Sequence, residues 1–201
     1  MTRARRLAAL VFGVAVLAGA GAARADEAKA IFAGGCFWCM EPPFDNVPGV
    51  ISTTSGYSGG HTQNPSYQEV GAGGTGHAEA VEIVYDPKKV TYAELLTVFW
   101  RNVDPTDAEG QFCDKGDQYR SEIFYGSDEE KRLAEQSKTD VAAKLKVRGP
   151  IVTKIELAVP FYRAEDYHQD YYEKNPLRYR YYRRRCGRDA RLAEVWGSDR
   201  S

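Results

Sequence analysis

The chain is short of most features that would assign it quickly. Beyond its first 25 residues it has no apolar run of the roughly 18 to 20 residues needed to cross a bilayer. It has no surplus of basic charge either: 27 Lys and Arg face 28 Asp and Glu, and four of those arginines fall in residues 1–25, where no acid occurs. The body that follows therefore carries a net charge of −5, which argues against a nucleic-acid binder or a polybasic membrane-surface protein. No G-x-S-x-G elbow is present, and Gly73-Gly74-Thr75-Gly76-His77 lacks the lysine of a phosphate-binding loop. Three widely spaced histidines, His61, His77 and His168, make no local metal motif. Cysteine is scarce too: one C-x-x-C, Cys36 and Cys39, then single cysteines 74 and 73 residues further on, Cys113 and Cys186. A four-thiolate zinc site usually brings two close pairs, and a domain of this size needs no disulfide staple. Redox chemistry is the better reading, although sequence does not choose among the three complete pairings that four cysteines allow.

Residues 1–25 read as a leader. Thr2-Arg3-Ala4-Arg5-Arg6 is a basic opening, Leu7 to Ala23 is an uncharged apolar or small run, and Ala23-Arg24-Ala25 supplies small residues at a cleavage site. Removal after Ala25 predicts a periplasmic or secreted protein, residues 26–201, that forms one catalytic domain without stable membrane insertion. Retention of the leader as an anchor is disfavoured because 17 residues rich in Ala and Gly are short and weakly apolar.

Strands are expected at Ala28 to Phe32, Val50 to Tyr57, His77 to Tyr85, Tyr119 to Tyr125 and Ile151 to Val159. Thr91-Tyr92-Ala93-Glu94 and Ser127-Asp128-Glu129-Glu130 are capping boxes, opening helices to about Arg101 and Leu145. A helix is expected to start near Cys36, but Pro42-Pro43 leaves its continuation open. Residues 60–76 read as loop and Ala164 to Glu173 as helix, stopped by Asn175-Pro176. Mixed strands and helices, with several strands not followed by crossover helices, predict an α+β layered fold. The last 26 residues interleave tyrosines with arginines. Stacking aromatics and basic groups suit single-stranded nucleic acid, but the acidic, exported body favours packing tyrosines and ion-paired arginines, with Cys186 on a mobile tail.

Gly34-Gly35-Cys36-Phe37-Trp38-Cys39 is the strongest local feature. A cysteine at a helix start has its thiolate stabilised by free backbone N–H groups and the positive helix end, so Cys36 is a candidate nucleophile. Phe37 and Trp38 would wall an apolar pocket. The alternative is an ordinary buried cysteine among core aromatics. Glu79 lies in a strand that does not sort by polarity; if buried on both sides, its carboxyl would have a raised pKa and suit a proton donor. The plainer alternative is an ion-paired carboxylate with a partner such as Arg120. Asp114-x-Gly116-x-Gln118-Tyr119-Arg120-Ser121 sits at a loop-to-strand boundary, a common place for functional residues.

Four stretches together resemble the peptide-methionine (S)-S-oxide reductases: Gly35-Cys36-Phe37-Trp38, Thr75-Gly76-His77-Ala78-Glu79, Asp114 to Ser121, and His168-Gln169-Asp170-Tyr171. The resemblance covers nearly all of residues 28–176. It implies a two-layer α/β sandwich with a mixed central sheet, related to ferredoxin-like folds, and no cofactor or metal. It implies Cys36 as the nucleophile that attacks the sulfoxide sulfur, and Glu79 as the acid that protonates the oxygen with help from Tyr67 and Tyr119. Phe37 and Trp38 would surround the substrate methyl group, with Asp114 as a hydrogen-bonding carboxylate. The substrate would be the S epimer of free or protein-bound methionine sulfoxide, and the electron source a thioredoxin-like or other dithiol. The family regenerates its sulfenic acid with a cysteine near the C-terminus, so Cys186 is the expected resolver through a Cys36–Cys186 disulfide. Cys39 is its rival, and Cys113 has no clear claim. Competing classes are a thioredoxin-like C-x-x-C disulfide oxidoreductase and a zinc-stapled binding module.

Overall fold

The structure, a computed structural model, describes residues 27–147 and 149–197. The expected leader and its cleavage site at Ala25 lie outside them. The chain starts with β1 (Ala28–Gly34), α1 (Phe37–Asp45) and β2 (Val50–Ser58), then α2 (Tyr67–Ala72), β3 (Ala78–Tyr85) and α3 (Tyr92–Arg101). A short hairpin, β4 (Gly110–Gln111) and β5 (Asp114–Lys115), leads to β6 (Ser121–Tyr125) and α4 (Asp128–Ala142). The remainder is β7 (Lys154–Leu157), β8 (Tyr162–Arg163), α5 (Tyr171–Lys174), α6 (Pro176–Arg185) and α7 (Arg188–Trp196).

Six strands form one sheet in the order β7-β6-β1-β3-β2-β8. Every neighbouring pair is antiparallel except β6 and β7. The expected α+β layered fold with a mixed central sheet is the one observed. The core sits where α1 and α3 cover one sheet face. Phe32 of β1 meets Phe44 of α1 at 5.6 Å and Phe99 of α3 at 5.2 Å between ring centroids. Burying rings of this size contributes about 1.5–3 kcal/mol each. α3 keeps Leu95, Leu96, Phe99 and Trp100 inside and packs on α4, where the Trp100 indole donates to Ser137 at 2.9 Å. The opposite face is thinner, a cluster of Ala33, Ala78, Ala80 and Phe124.

Both expected capping residues start helices. Thr91 and Glu94 make the full reciprocal box, whereas the Ser127 hydroxyl accepts from Glu130 N and the Glu130 carboxylate turns to Gly126 N instead. One open question is decided and three expectations need correction. α1 runs through Pro42 and Pro43 to Asp45: the prolines remove two hydrogen bonds, but packing of Phe44 on Phe32 holds the last turn. A helix, α2, lies within the expected loop, opened by a complete Ser66–Glu69 capping box. The helix expected over 164–173 is mostly turns, with Asp170 in a left-handed conformation before α5. The tail is not a loose segment: Pro176 takes the first position of α6, where its missing N–H costs nothing, and α7 places Leu192, Val195 and Trp196 in the core.

Candidate active site

The site is built where β1 runs into α1. Gly34 is needed because a Cβ there would lie 2.6 Å from the Met40 methyl, and Gly35 because its φ is +80°. This close turn puts Cys36 at the N-cap of α1, 6% exposed. The free N–H of Phe37 is not left to solvent: it donates to Glu79 Oε2 at 3.0 Å. Glu79 reaches it from β3, two strands away from the edge. It is 3% exposed, and burial pushes its pKa up to about 8, against the lowering effect of the Phe37 N–H. The carboxyl is therefore protonated at neutral pH. The plainer alternative, pairing with Arg120, does not occur; Arg120 holds Glu122 and Asp117.

Cys39 sits one turn below Cys36, its N–H donating to Cys36 O at 3.0 Å. The two thiols are hydrogen-bonded to each other and share a buried environment. Burial pushes the Cys36 thiol up. The hydrogen bond from Cys36 lowers Cys39 to about 6 despite burial, with further help from the Arg188 and Arg183 guanidinium charges. Passing the Cys36 proton to the Cys39 sulfur along this contact produces the Cys36 thiolate.

Aromatic rings wall the pair. Trp38 is half-buried and stacks on Tyr171 with centroids 3.7 Å apart. Its indole N–H donates to His168 Nδ1 at 3.0 Å, which leaves the proton of a neutral imidazole on Nε2; burial lowers the His168 pKa and keeps that form. Phe37 is buried beneath, against His168 and Tyr57. Tyr67 and Tyr119 face the same charges, Glu79 and Cys36, and burial raises both phenols, Tyr67 to about 12. They remain O–H donors throughout the physiological range. On the far side Asp114 accepts from the Tyr182 hydroxyl, and that hydroxyl also reaches the Cys36 sulfur.

Of the expected site residues, Cys36, Cys39, Glu79, Phe37, Trp38, Tyr67, Tyr119 and Asp114 come together. Cys186, the C-cap of α6, is bonded to Cys113 instead of Cys36, with Cα atoms 4.9 Å apart. Cys36 and Cys39 are free thiols. Helix α6 fixes Cys186 beside the β4–β5 hairpin, which carries Cys113, so the expected Cys36–Cys186 bridge is absent from this state. Among the described residues the one cluster with metal-ligand spacing is Cys113, Asp114 and Cys186, and its two sulfurs are bonded to each other.

Sequence reasoning missed Tyr182 and Arg188. Tyr182 stands four residues before Cys186 on one helix face, a spacing that was there to be read. Arg188 carried no signal. It is 1% exposed, donates to Gly34 O at 3.0 Å and Asn102 O at 2.8 Å, and stacks over Phe112.

A buried pair of free thiols and a protonated carboxyl, at one helix start and walled by aromatic rings, define a thiol-dependent reductase site. The chain belongs to the peptide methionine sulfoxide reductase family, whose sequence model matches residues 28–200, and the enzyme is a peptide-methionine sulfoxide reductase. The MsrA of Ligilactobacillus salivarius is 57% identical over 150 residues, 75% of this chain and 87% of that protein. The MsrA of Bacillus subtilis is 53% identical over 169 residues, 84% and 96%. Among solved structures, methionine sulfoxide reductase A of Corynebacterium diphtheriae superposes with a TM-score of 0.69 at 36% identity, covering 77% of each chain. Mxr1 of Saccharomyces cerevisiae in complex with Trx2 superposes with a TM-score of 0.52 at 25% identity, covering 77% and 91%.

Proposed function

We propose that the enzyme reduces the S epimer of methionine sulfoxide, free or within proteins, by direct attack of Cys36 on the sulfoxide sulfur. The observation that carries this reading is the Phe37 N–H to Glu79 contact, which ties a proton donor to the residue next to the nucleophile. An unprotonated sulfoxide oxygen leaves poorly, so thiolate and acid must act on the same molecule. Glu79 delivers the proton, Tyr67 and Tyr119 donate hydrogen bonds to the oxygen, and Trp38 with Phe37 confines the methyl group. Asp114 holds the opposite rim through Tyr182. The sulfoxide becomes methionine and Cys36 becomes a sulfenic acid.

A second thiol then condenses with that sulfenic acid, releasing water, and an external dithiol reduces the disulfide. The Trx2 complex of yeast Mxr1 supports a reductant of the thioredoxin class. The leader pattern supports an exported enzyme, residues 26–201, fed by an exported or membrane-linked dithiol protein. N-terminal sequencing of a fractionated host is expected to find Asp26 first, outside the cytoplasm; intact Met1 in the cytosol would refute export.

One pocket holding methyl, oxygen and sulfur at three fixed points accepts one epimer, in keeping with separate enzymes for the two sulfoxide epimers. The test is chromatographic separation of a racemic methionine sulfoxide peptide after incubation with enzyme and dithiothreitol. Loss of the S epimer alone is expected, with none in Cys36→Ser; equal loss of both epimers would overturn the assignment.

A further inference from the structure

The charge of this protein is segregated. Seven arginines and one aspartate fall in residues 176–191, so the rest of the body is more acidic than its net charge suggests. Three of the seven are used by the fold. Arg183 pairs with Asp189, Arg191 with Asp104 and Glu194, and Arg188 is buried. The expected ion pairing fails for the other four: Arg178, Arg180, Arg184 and Arg185 are exposed and make no ion pair among the described residues.

All four lie on α6, together with two exposed apolar side chains, Leu177 at 76% and Tyr181 at 67%. Residues three or four apart share a helix face. Leu177 and Tyr181 therefore form one row along the helix, with Arg180 and Arg184 on one flank and Arg178 and Arg185 on the other. The opposite side of α6 carries Tyr182, whose hydroxyl donates to Asp114. Helix stability does not account for the outer row. A cation in the first turn opposes the helix dipole, and like charges four apart repel, yet Arg178 stands in the first turn and Arg180 and Arg184 are four apart. Nor is the row a base-stacking surface, since one exposed ring offers no platform for successive bases.

We propose that this outer face of α6 is a docking surface for anionic phospholipid, holding the enzyme reversibly on a membrane. Leu177 and the Tyr181 ring enter the boundary between headgroups and acyl chains, where an amphipathic phenol suits both sides. The aliphatic stems of the arginines lie along the apolar layer, and their guanidiniums rise to lipid phosphates on either flank. The acidic remainder of the body is turned to solution; net charge averages over the whole surface and conceals the fit of one face. Two apolar side chains are too few to insert the chain, so binding needs the arginines and weakens with salt. Because Tyr182 on the inner side of α6 reaches Cys36, docking holds the catalytic pocket one helix diameter, about 10–12 Å, from the lipid.

The test is co-sedimentation of residues 26–201 with sucrose-loaded vesicles. The leader is left off because its apolar run would itself bind lipid, and the MsrA of Bacillus subtilis is nearly complete over the matching span. Wild type is expected to bind vesicles of equal parts phosphatidylglycerol and phosphatidylcholine at low salt, and pure phosphatidylcholine at least about ten-fold more weakly. Arg178→Gln/Arg180→Gln/Arg184→Gln/Arg185→Gln is expected to lose about 10²-fold or more on the anionic vesicles, about five-fold per arginine. Leu177→Ser/Tyr181→Ser is expected to lose about ten-fold. Both variants are expected to keep the wild-type urea midpoint, since none of the six side chains is buried. Wild-type binding is also expected to fall steeply as salt is raised, a readout that needs no variant.

Equal binding to the two kinds of vesicle, or binding unchanged by the four arginine substitutions, would overturn the proposal. So would binding indifferent to Leu177→Ser/Tyr181→Ser. A labelled oligothymidylate held more tightly than the anionic vesicles would assign the face to single-stranded nucleic acid. A dimer in solution that the arginine substitutions dissolve would assign it to a second copy of the chain. Either result overturns docking on lipid.

Discussion

Two glutamates around α1 have nearly the same burial and very different prospects. Glu79 is 3% exposed and Glu41 is 0% exposed, and burial raises both, to about 8 and about 7. Glu79 has one oxygen anchored by Phe37 N–H, and its charge is felt by Cys36, Tyr67 and Tyr119. Glu41 lies on α1 away from the sulfur, beside Ser55 and Asp170, and both its oxygens and the Ser55 hydroxyl lack a hydrogen-bond partner of good geometry. A buried, protonated carboxyl is thus not yet a catalytic acid. It becomes one when a donor fixes one oxygen and the other faces the reacting atoms. Glu41 has the titration behaviour without the address.

The strongest way to break this comparison is kinetic. Glu79→Gln keeps an acceptor for Phe37 N–H but transfers no proton, and is expected to slow single-turnover sulfoxide reduction by roughly 10²-fold or more. Glu41→Gln is expected to stay within about two-fold of wild type, the size of a general-acid loss being absent there. Equal effects of the two substitutions, read by rapid-quench measurement of methionine, would erase the distinction.

Stability sharpens it in the opposite sense. Glu41→Gln puts a second N–H donor beside Ser55 and Asp170, where the protonated carboxyl had one O–H, and is expected to cost about 1–3 kcal/mol in urea denaturation, while Glu41→Met removes the polar group and costs less. Glu79→Gln retains its hydrogen bond and is expected to change stability by under about 1 kcal/mol at neutral pH.

The pH dependence follows from the raised values. Above the unfolded carboxyl pKa near 4.5, the folded enzyme keeps protons the unfolded chain has lost, up to about 7 at Glu41 and about 8 at Glu79. Stability from this source is therefore complete at low pH and falls as pH rises, by at most about 1.4 kcal/mol per pH unit for each group. Urea melts at pH 5, 6, 7 and 8 are expected to show the fall. Glu41→Met should remove the portion ending near pH 7, and Glu79→Gln the portion ending near pH 8. Single-turnover activity of the wild type should decline above pH 8 as Glu79 loses its proton.

The smallest effect belongs to Glu82, on the same strand as Glu79 but the other face, where its half-buried carboxylate pairs with the exposed Lys29 at 3.1 Å. Glu82→Gln is expected to change stability by under about 1 kcal/mol and to leave turnover untouched, since exposed ion pairs contribute little. A loss of activity there would mean that β3 tolerates no charge change on either face.

Much of this protein was readable before its structure. The redox reading, the helix start at Cys36, the burial of Glu79 and the layered α+β class follow from short-range rules: glycines before a helix start, capping boxes, strand patterns and motif order. The resemblance supplied Tyr67, Tyr119 and Asp114. Pro42-Pro43 left α1 undecided and the Tyr/Arg-rich end misled for one common reason, that local propensity is weak against packing. Phe44 holds α1 together past the prolines, and Leu192, Val195 and Trp196 anchor what read as a tail. Ser66–Glu69 was a legible capping box hidden among glycines.

The sequence by itself offered the candidates for sulfur and proton chemistry, because residue type and near neighbours set reactivity locally. It did not determine which cysteines meet. Cys113 and Cys186 are 73 residues apart, and whether their sulfurs touch depends on where α6 and the β4–β5 hairpin dock. The same holds for Glu79 and Phe37 N–H, 42 residues apart, brought together by the β1–β3 register, and for Arg188, whose charge matters only because α7 packs it beneath Gly34. Only tertiary structure decided those contacts, since each depends on the summed packing of elements distant in the chain and not on any local preference.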